Sequence, residues 1–558
     1  MKKVFLLLFA AASICVNVSA QRYLTPQFTD VTVQSNVIYG QNFTALTLAT
    51  IKHTSRQPLA CDVYTPKGDT VKSRPIAIFV SGGNFLPGFV VNRPTGSKTD
   101  SAVVEACVRF AKLGYTAVAA DYRTGWDPTN SSQTARVYTL INASYRGLQD
   151  LRSCIRYFKA NASNFAVDTN RVAVLGFSTG GYVVLGTAGV DAYTKIVTTK
   201  YPAGKFTVPI SATQAIPMII EGDNGDIEAK TLALAPAASA NPVSPWPAGD
   251  TMCVPNTPGP SSKFQLAVNF GGATGDLTWL DKNTPPIISI QPPTDPYAPY
   301  VSYVLQVPIG GGRSLPVVEV QGGYLIQKTL DSLGVTDAWK KLTAQYDPYK
   351  TLVGPRNAAA SSSVTASAYF PPITGISPPG LFPIMGRFTN DSGPWEWWSF
   401  DNATGGNDST NISGNGNMSL ARAKYPATAD NKLATAEAAR TARIYIDSMV
   451  QFIAPRACIT LKLPCAALVT GTQDFLSNDT KLAIYPNPTF ASVTFQSEVS
   501  NRMQTIELYD LSGRSVRTIS KINSDTYTIN REGLAQGMYI AKVQFDGGLL
   551  TRKLVFQD

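Results

Sequence analysis

One stretch limits the folds open to this chain more than any other. It is Gly176-Phe177-Ser178-Thr179-Gly180-Gly181, set between the apolar run Arg171-Val172-Ala173-Val174-Leu175 and the apolar Tyr182-Val183-Val184-Leu185. The order is strand, tight turn, helix, with small residues on both sides of a serine. Small residues are needed because strand and helix approach closely there, and the turn presents the serine hydroxyl outward on a strained backbone. A hydroxyl in that position is a nucleophile candidate, and it needs a base to take its proton. The chain of 558 residues holds one histidine, and that residue, His53, lies far upstream of the turn.

The strands and helices around the turn alternate. Arg74 to Val80 is a continuous apolar run, as in a strand buried on both faces, and it ends at Ser81-Gly82-Gly83-Asn84. Ser101 to Leu113 has apolar residues at helical spacing and stops at Gly114, a C-terminal cap. Tyr115 to Ala120 reads as another buried strand, Ala143 to Lys159 as an amphipathic helix, and Phe264–Phe270 and Pro285–Ile290 as further strands. Helices follow at Gly322–Leu333, capped by Gly334, and at Ala434–Ile453. This alternation predicts an α/β fold with right-handed crossovers and a mostly parallel sheet covered on both faces.

Other segments carry weaker patterns. Leu59 to Pro66 alternates as a half-exposed strand at a sheet edge would. Residues 191–263 read as an insertion over the C-terminal ends of the strands, where loops carry sites. The stretch Asp401 to Ser419 reads as a solvated loop, and Pro394-Trp395-Glu396-Trp397-Trp398 forms an aromatic knot. From 481 to 558 the texture changes to short alternating strands between turn residues, which predicts a small all-β sandwich. The expected division is therefore 1–20, 21–475 and 481–558.

Residues 1–20 have the form of an export signal: Lys2 and Lys3, an apolar run from Val4 to Val16, then Val18-Ser19-Ala20. That run is too short to span a bilayer, and no span is expected elsewhere. Six cysteines follow it, and an exported chain favours disulfides; Cys458 and Cys465, which bracket a short Pro-containing loop, are the natural local pair. The net charge of +10 is spread along the chain, so no nucleic-acid partner is expected. One histidine and no C-x-x-C pair leave no zinc pattern, and no cofactor is implied.

Two family resemblances rest on these residues. Tyr485-Pro486-Asn487-Pro488, Leu508-Tyr509-Asp510-Leu511-Ser512-Gly513 and Gly537-Met538-Tyr539 resemble the C-terminal type A sorting domain of the type IX secretion system of Bacteroidota. The resemblance implies the type IX machinery as partner, export across the outer membrane, and a secreted or cell-surface location. Residues from about Val37 to Cys465 resemble the α/β-hydrolase fold, in particular secreted bacterial carboxylesterases, through Asp62-Val63-Tyr64-Thr65-Pro66, Ser81-Gly82-Gly83, Gly114-Tyr115, Asp121-Tyr122-Arg123, the Ser178 turn and Thr294-Asp295-Pro296.

That second resemblance implies Ser178 as nucleophile and Asp295 as triad acid, with backbone N–H groups of Gly83, Asn84 and Thr179 as oxyanion hole. It implies a small-molecule or polymer ester as substrate. The chain departs from the pattern at its histidines. Ser81 stands where such esterases usually place one before the oxyanion glycines, Gln291-Pro292 stands where they often write His-Gly, and no histidine follows His53 to serve as the triad base. The base is therefore unidentified. Tyr122 and Arg123 follow a strand end, where Arg123 reads as a structural pairing. The alternative to a serine hydrolase is an inactive relative that binds an ester, glycan or polymer, using residues 191–263 and Trp395 to Trp398 as its surface.

Overall fold

The computed structural model describes residues 22–91, 93–200, 204–237, 241–308, 313–343, 346–347, 377–384, 386, 392–402, 415–427, 430–465, 482–497, 502–510, 514–545 and 548–557. The export segment read at 1–20 and the 511–513 end of the second sorting motif lie outside them. The chain divides into two compact units, Met1–Leu468 and Val469–Asp558.

Eight strands form the sheet of the first unit: β1 (Val31–Thr44), β2 (Ser55–Pro66), β3 (Arg74–Val80), β4 (Thr116–Ala120), β5 (Val167–Phe177), β6 (Leu266–Phe270), β7 (Ile287–Gln291) and β8 (Leu381–Pro383). Their spatial order is β1-β2-β4-β3-β5-β6-β7-β8. Only β2 runs against its neighbours; it is antiparallel to β1 and to β4, and the pairs β4/β3, β3/β5, β5/β6, β6/β7 and β7/β8 are all parallel. Every residue of β3, β4, β6 and β7 is buried, as their unbroken apolar runs require for strands covered on both faces.

The helices that cover the sheet are α1 (Ser101–Leu113), α2 (Gln133–Ala160), α3 (Thr179–Gly189), α4 (Gly323–Ser332), α5 (Gly416–Lys424) and α6 (Asn431–Thr460). One apolar cluster joins α2 and α3 to one face of the sheet, through Leu148, Leu151, Val183 and Val184 on Ile78 and Val174. A second joins α1 and α6 to the other face, through Val103, Phe110, Ile446 and Phe452 on Phe79, Leu175 and Phe382. Gly114 closes α1 in the left-handed region at φ 108°, and its N–H bonds back to Ala111 and Phe110, as a C-terminal cap should.

The structure corrects several expectations. Leu59 to Pro66 belongs to β2, the second strand; the sheet edge is β1, whose largely polar residues gave no clear period. The Ala143–Lys159 helix extends back to Gln133, and the last helix runs from Asn431 to Thr460. The end of the segment read as a solvated loop is helical, since Gly416 to Met418 begin α5 and are buried there.

The described part of 191–263 touches the loop after β6, where Lys205 donates to the Gly275 carbonyl, but most of its contacts are elsewhere. It runs down the outside of α2: Tyr145 donates to the Gly225 carbonyl, Gln149 to Asn224 and Asp226, Arg152 to Ile227, and Arg156 to Asn256 and Thr257. The buried polar side chains of α2 need these acceptors, and the segment supplies them from its backbone. Arg123 is wholly buried with Asp150 at 2.8 Å, and its other donors reach Gln149 and the Met252 carbonyl. This is the structural pairing read from the sequence.

Cys458 and Cys465 are joined by a disulfide; Cys61, Cys107, Cys154 and Cys253 are free and buried. No described helix is long and apolar enough to cross a membrane.

In the second unit the strands are β9 (Ala483–Tyr485), β10 (Ser492–Gln496), β11 (Met503–Tyr509), β12 (Ser515–Ser524), β13 (Thr526–Asn530), β14 (Gly537–Phe545) and β15 (Gly548–Phe556). They form two antiparallel sheets, β9-β10-β13 and β12-β11-β14-β15. Alternate residues such as Val493, Phe495, Ile506, Leu508, Val543 and Leu554 share one core, so this is a small sandwich. Asn487 of the Pro-Asn-Pro motif locks onto β15, donating to the Lys553 carbonyl and accepting the Val555 N–H.

Candidate active site

Ser178 stands between β5 and α3 with φ 50° and ψ −115°, a backbone conformation that costs energy and persists only where its surroundings impose it. They do so here. The Ser178 N–H donates to the Phe270 carbonyl at 2.7 Å, and Gly181 N–H returns to the Ser178 carbonyl. A Cβ on Gly176 would stand 2.0 Å from the Gly180 carbonyl oxygen, and one on Gly180 would stand 2.5 Å from that of Val80. The small residues flanking the serine are thus demanded by contact. Ser178 is only partly buried, and among the described residues its hydroxyl makes no side-chain hydrogen bond.

The loop after β3 lies directly against the serine. A Cβ on Gly82 would be 3.0 Å from Ser178 Cβ and 3.6 Å from its Oγ. Gly83, Asn84 and Phe85 follow with φ of 106°, 58° and 55°, a run of left-handed residues that turns the backbone back on itself. Among the described residues no acceptor takes the N–H of Gly83, Asn84 or Thr179.

The loop's carbonyls, by contrast, are tied down. Trp126 Nε1 donates to Asn84 O at 2.8 Å and Gly125 N–H to Phe85 O at 2.7 Å. Tyr122 Oη donates to the Ser81 carbonyl at 3.1 Å and lies 3.3 Å from Thr179 Oγ1. Burial pushes the Tyr122 phenol up, so it stays a donor.

A second layer supports this loop. Gly83 packs on Gly96, where an added Cβ would meet Gly96 Cα at 2.7 Å. Gly96 and Ser97 donate their N–H groups to the Asp100 carboxylate, and Lys98 Nζ reaches Asp62 at 2.7 Å. Asp100 lines a small cavity with Phe177 and Glu396. Burial pushes its carboxyl up to about 7 against the pull of the two N–H groups. Trp126, Gly96 and Asp100 escape a reading of the sequence because their roles come from long-range contact.

Asp295 follows β7 and is buried, with Oδ1 accepting the N–H groups of Tyr297 and Ala298. Its Oδ2 approaches Gly271, whose added Cβ would lie 3.4 Å away. Gly271 is the residue after Phe270, the acceptor for Ser178 N–H, so serine and carboxylate lie on adjoining loops. Tyr182 adjoins the same carboxylate; burial first, and Asp295 second, push its phenol up.

His53 does not join them. It precedes β2, three strands from β5 and so roughly 14 Å to the side at ordinary strand spacing. There its Nδ1 meets Asp250 at 2.8 Å, with the ring 63% exposed. The stretch after β8, where the esterase pattern places a base, covers Met385 and residues 387–391, which are outside the described residues and contain no histidine.

The aromatic knot is core rather than binding surface. Trp395, Trp397 and Trp398 are buried, and the Trp395 ring centroid lies 6.1 Å from that of Phe177 and 6.2 Å from that of Phe270.

The strand order and the serine turn define an α/β-hydrolase fold. Comparison with known proteins agrees: residues 61–205 match the BD-FAE family, and residues 483–557 match the secretion system C-terminal sorting domain. Esterase S of Drosophila virilis is 26% identical over 176 residues, covering 31% of this chain and 28% of that protein; the chain thus spans under a third of that curated relative. Among solved structures, esterase 2 of Thermogutta terrifontis phosphorylated by paraoxon is 17% identical over 48% of this chain and 73% of its own, with a TM-score of 0.24. A truncated carbohydrate esterase from gut microbiota is 17% identical over 49% and 80%, with a TM-score of 0.25. The chain therefore carries an esterase-like α/β-hydrolase domain followed by a type IX sorting domain, which directs it out of the cell or to the cell surface.

Proposed function

We propose that this protein takes acyl groups from carboxylic esters on Ser178 and releases them slowly. The carrying observation is the strained serine beside the Gly82 loop, with the N–H groups of Gly83, Asn84 and Thr179 left without an acceptor among the described residues. Ser178 Oγ bonds to the ester carbonyl carbon, the charge on the carbonyl oxygen meets the N–H groups of Gly83, Asn84 and Thr179, and the alcohol leaves with the serine's proton, passed through water. Asp295 stands in the acid's place, where it would orient a base. The esterase identity of the relatives favours an ester over other acyl donors.

Without an imidazole, the loss of one triad member costs about four to six powers of ten, and the oxyanion hole and binding retain about 10³ to 10⁴ over water. Acylation by a reactive ester is therefore within reach, and rapid turnover is not. A second reading, an inactive relative that binds an ester, glycan or polymer, is supported by the anchoring of His53 to Asp250 away from the serine.

The deciding experiment compares wild type and Ser178→Ala on short-chain aryl esters and with a covalent serine probe. Labelling and slow release that vanish in Ser178→Ala support the acyl-transfer reading. Equal background rates and no labelling sink it and leave the binding reading.

A further inference from the structure

Arg146 lies on α2 in line with Tyr138 and Asn142, at spacings of four residues, so the three share one face of the helix. All three are buried, Arg146 to 3% exposure. The chain from Ser244 to Trp246 covers this face: the Arg146 guanidinium carbon is 5.3 Å from the centroid of the Trp246 ring, and the Tyr138 hydroxyl adjoins Ser244 and Trp246. Arg146 Nη2 donates to the Gly125 carbonyl at 2.6 Å. Its Nε and Nη1, and the indole Nε1 of Trp246, are buried without an acceptor.

The charges do not balance. Asp150, one turn along the helix, is committed to Arg123 at 2.8 Å. Among the described residues no carboxylate forms an ion pair with Arg146. Arg123, Asp150 and Arg146 together therefore carry one uncompensated positive charge. Burial, and then Arg123, push the Arg146 guanidinium down to about 9. Buried charges are ordinarily paired, because an unpaired one is expensive to desolvate. A water molecule could bridge these donors to Asn142 Oδ1, which is also unsatisfied, but water brings no charge.

We infer that a small monovalent anion of halide type sits between α2 and the 244–246 segment, held by Arg146 Nε and Nη1 and by Trp246 Nε1. Buried N–H donors without an acceptor on two neighbouring side chains, and one net positive charge, suit an ion that accepts from every side and carries a single negative charge. The site lies outside the serine machinery but is joined to it, since Arg146 holds Gly125, and Gly125 and Trp126 hold Phe85 and Asn84.

The test uses the whole protein. Crystals grown in bromide should show an anomalous scattering peak beside Arg146 and Trp246. The unfolding temperature should be about 2 °C or more higher in chloride or bromide than in gluconate at equal ionic strength. Arg146→Met should abolish both effects, and Trp246→Phe, which keeps an aromatic ring but loses the indole N–H, should weaken them. Water density at the site with no anomalous peak overturns the proposal, whatever the melting data. So does a halide effect that persists unchanged in Trp246→Phe and, where it folds, in Arg146→Met.

Discussion

Gly176 and Gly180 face each other across the serine turn so closely that a single methyl group on the first would stand 2.0 Å from the carbonyl oxygen of the second. The obstacle is backbone, which cannot swing aside as a side chain can. Gly176→Ala is expected to cost about 3 kcal/mol or more by overpacking. Gly186→Ala on α3, the helix that carries Gly180, is the control. There the nearest atom is a Leu148 methyl at 3.5 Å, and alanine's helix propensity gives a gain of up to about 1 kcal/mol. Denaturant titration of both variants decides, and similar stability for the two would refute the argument.

The position of His53 gives a second expectation. Its ring is largely exposed and tied to Asp250, so His53→Ala should leave the labelling rate of Ser178 unchanged within about twofold, as expected for a surface change far from the reacting atoms. A tenfold loss would mean that the histidine reaches the serine after all.

Arg123 and Asp150 are wholly buried and fully hydrogen-bonded. Asp150→Ala strands a buried guanidinium and should cost about 3 to 5 kcal/mol. Replacing both partners at once, with Arg123→Met and Asp150→Leu, should recover much of that loss, because neither charge then needs a partner. A double variant no more stable than Asp150→Ala would show that Arg123 acts through its bonds to Gln149 and Met252 instead.

Asp100 makes stability depend on pH in an unusual direction. Its carboxyl is raised to about 7 in the folded chain, against about 3.9 unfolded. Between these values the native state holds a proton that the unfolded state has lost, so this residue's contribution to stability falls as pH rises from about 4 to 7. Asp100→Asn should flatten the difference in unfolding free energy between about pH 5 and about pH 8. An unchanged difference would exclude Asp100 as its source.

Much of this architecture was legible in the sequence where a local pattern suffices. The helix Ser101–Leu113 with its Gly114 cap, the buried runs of β3, β4, β6 and β7, and the serine turn all follow from periodicity and small-residue placement. What was not legible depends on distant partners. The largely polar β1 becomes a strand by pairing with β2 and by receiving Asn256. Residues 191–263 contain no strong period because their backbone serves the buried arginines of α2. The tryptophans from Trp395 to Trp398 form a binding surface only in the inactive-relative reading, and the ends of β5 and β6 claim Trp395. At the site itself the motif singled out Ser178, Gly83, Asn84 and Thr179 as candidates, while the Gly83–Gly96 contact and the Asp100 support behind it come from residues that no local pattern joins.

The bond between Asn256 and Gln41 closes a loop of 215 residues: Asn256 accepts the Gln41 N–H and donates to the Gln41 carbonyl. Synthesis runs from the amino end, so β1 is made long before the residue that completes its outer margin. The opening strand can pair with β2 once Pro66 has been made, but its bonds at Gln41 wait until nearly half the chain has emerged. The outer bonding of β1 at that point is thus completed by a segment with no strand in the sheet at all.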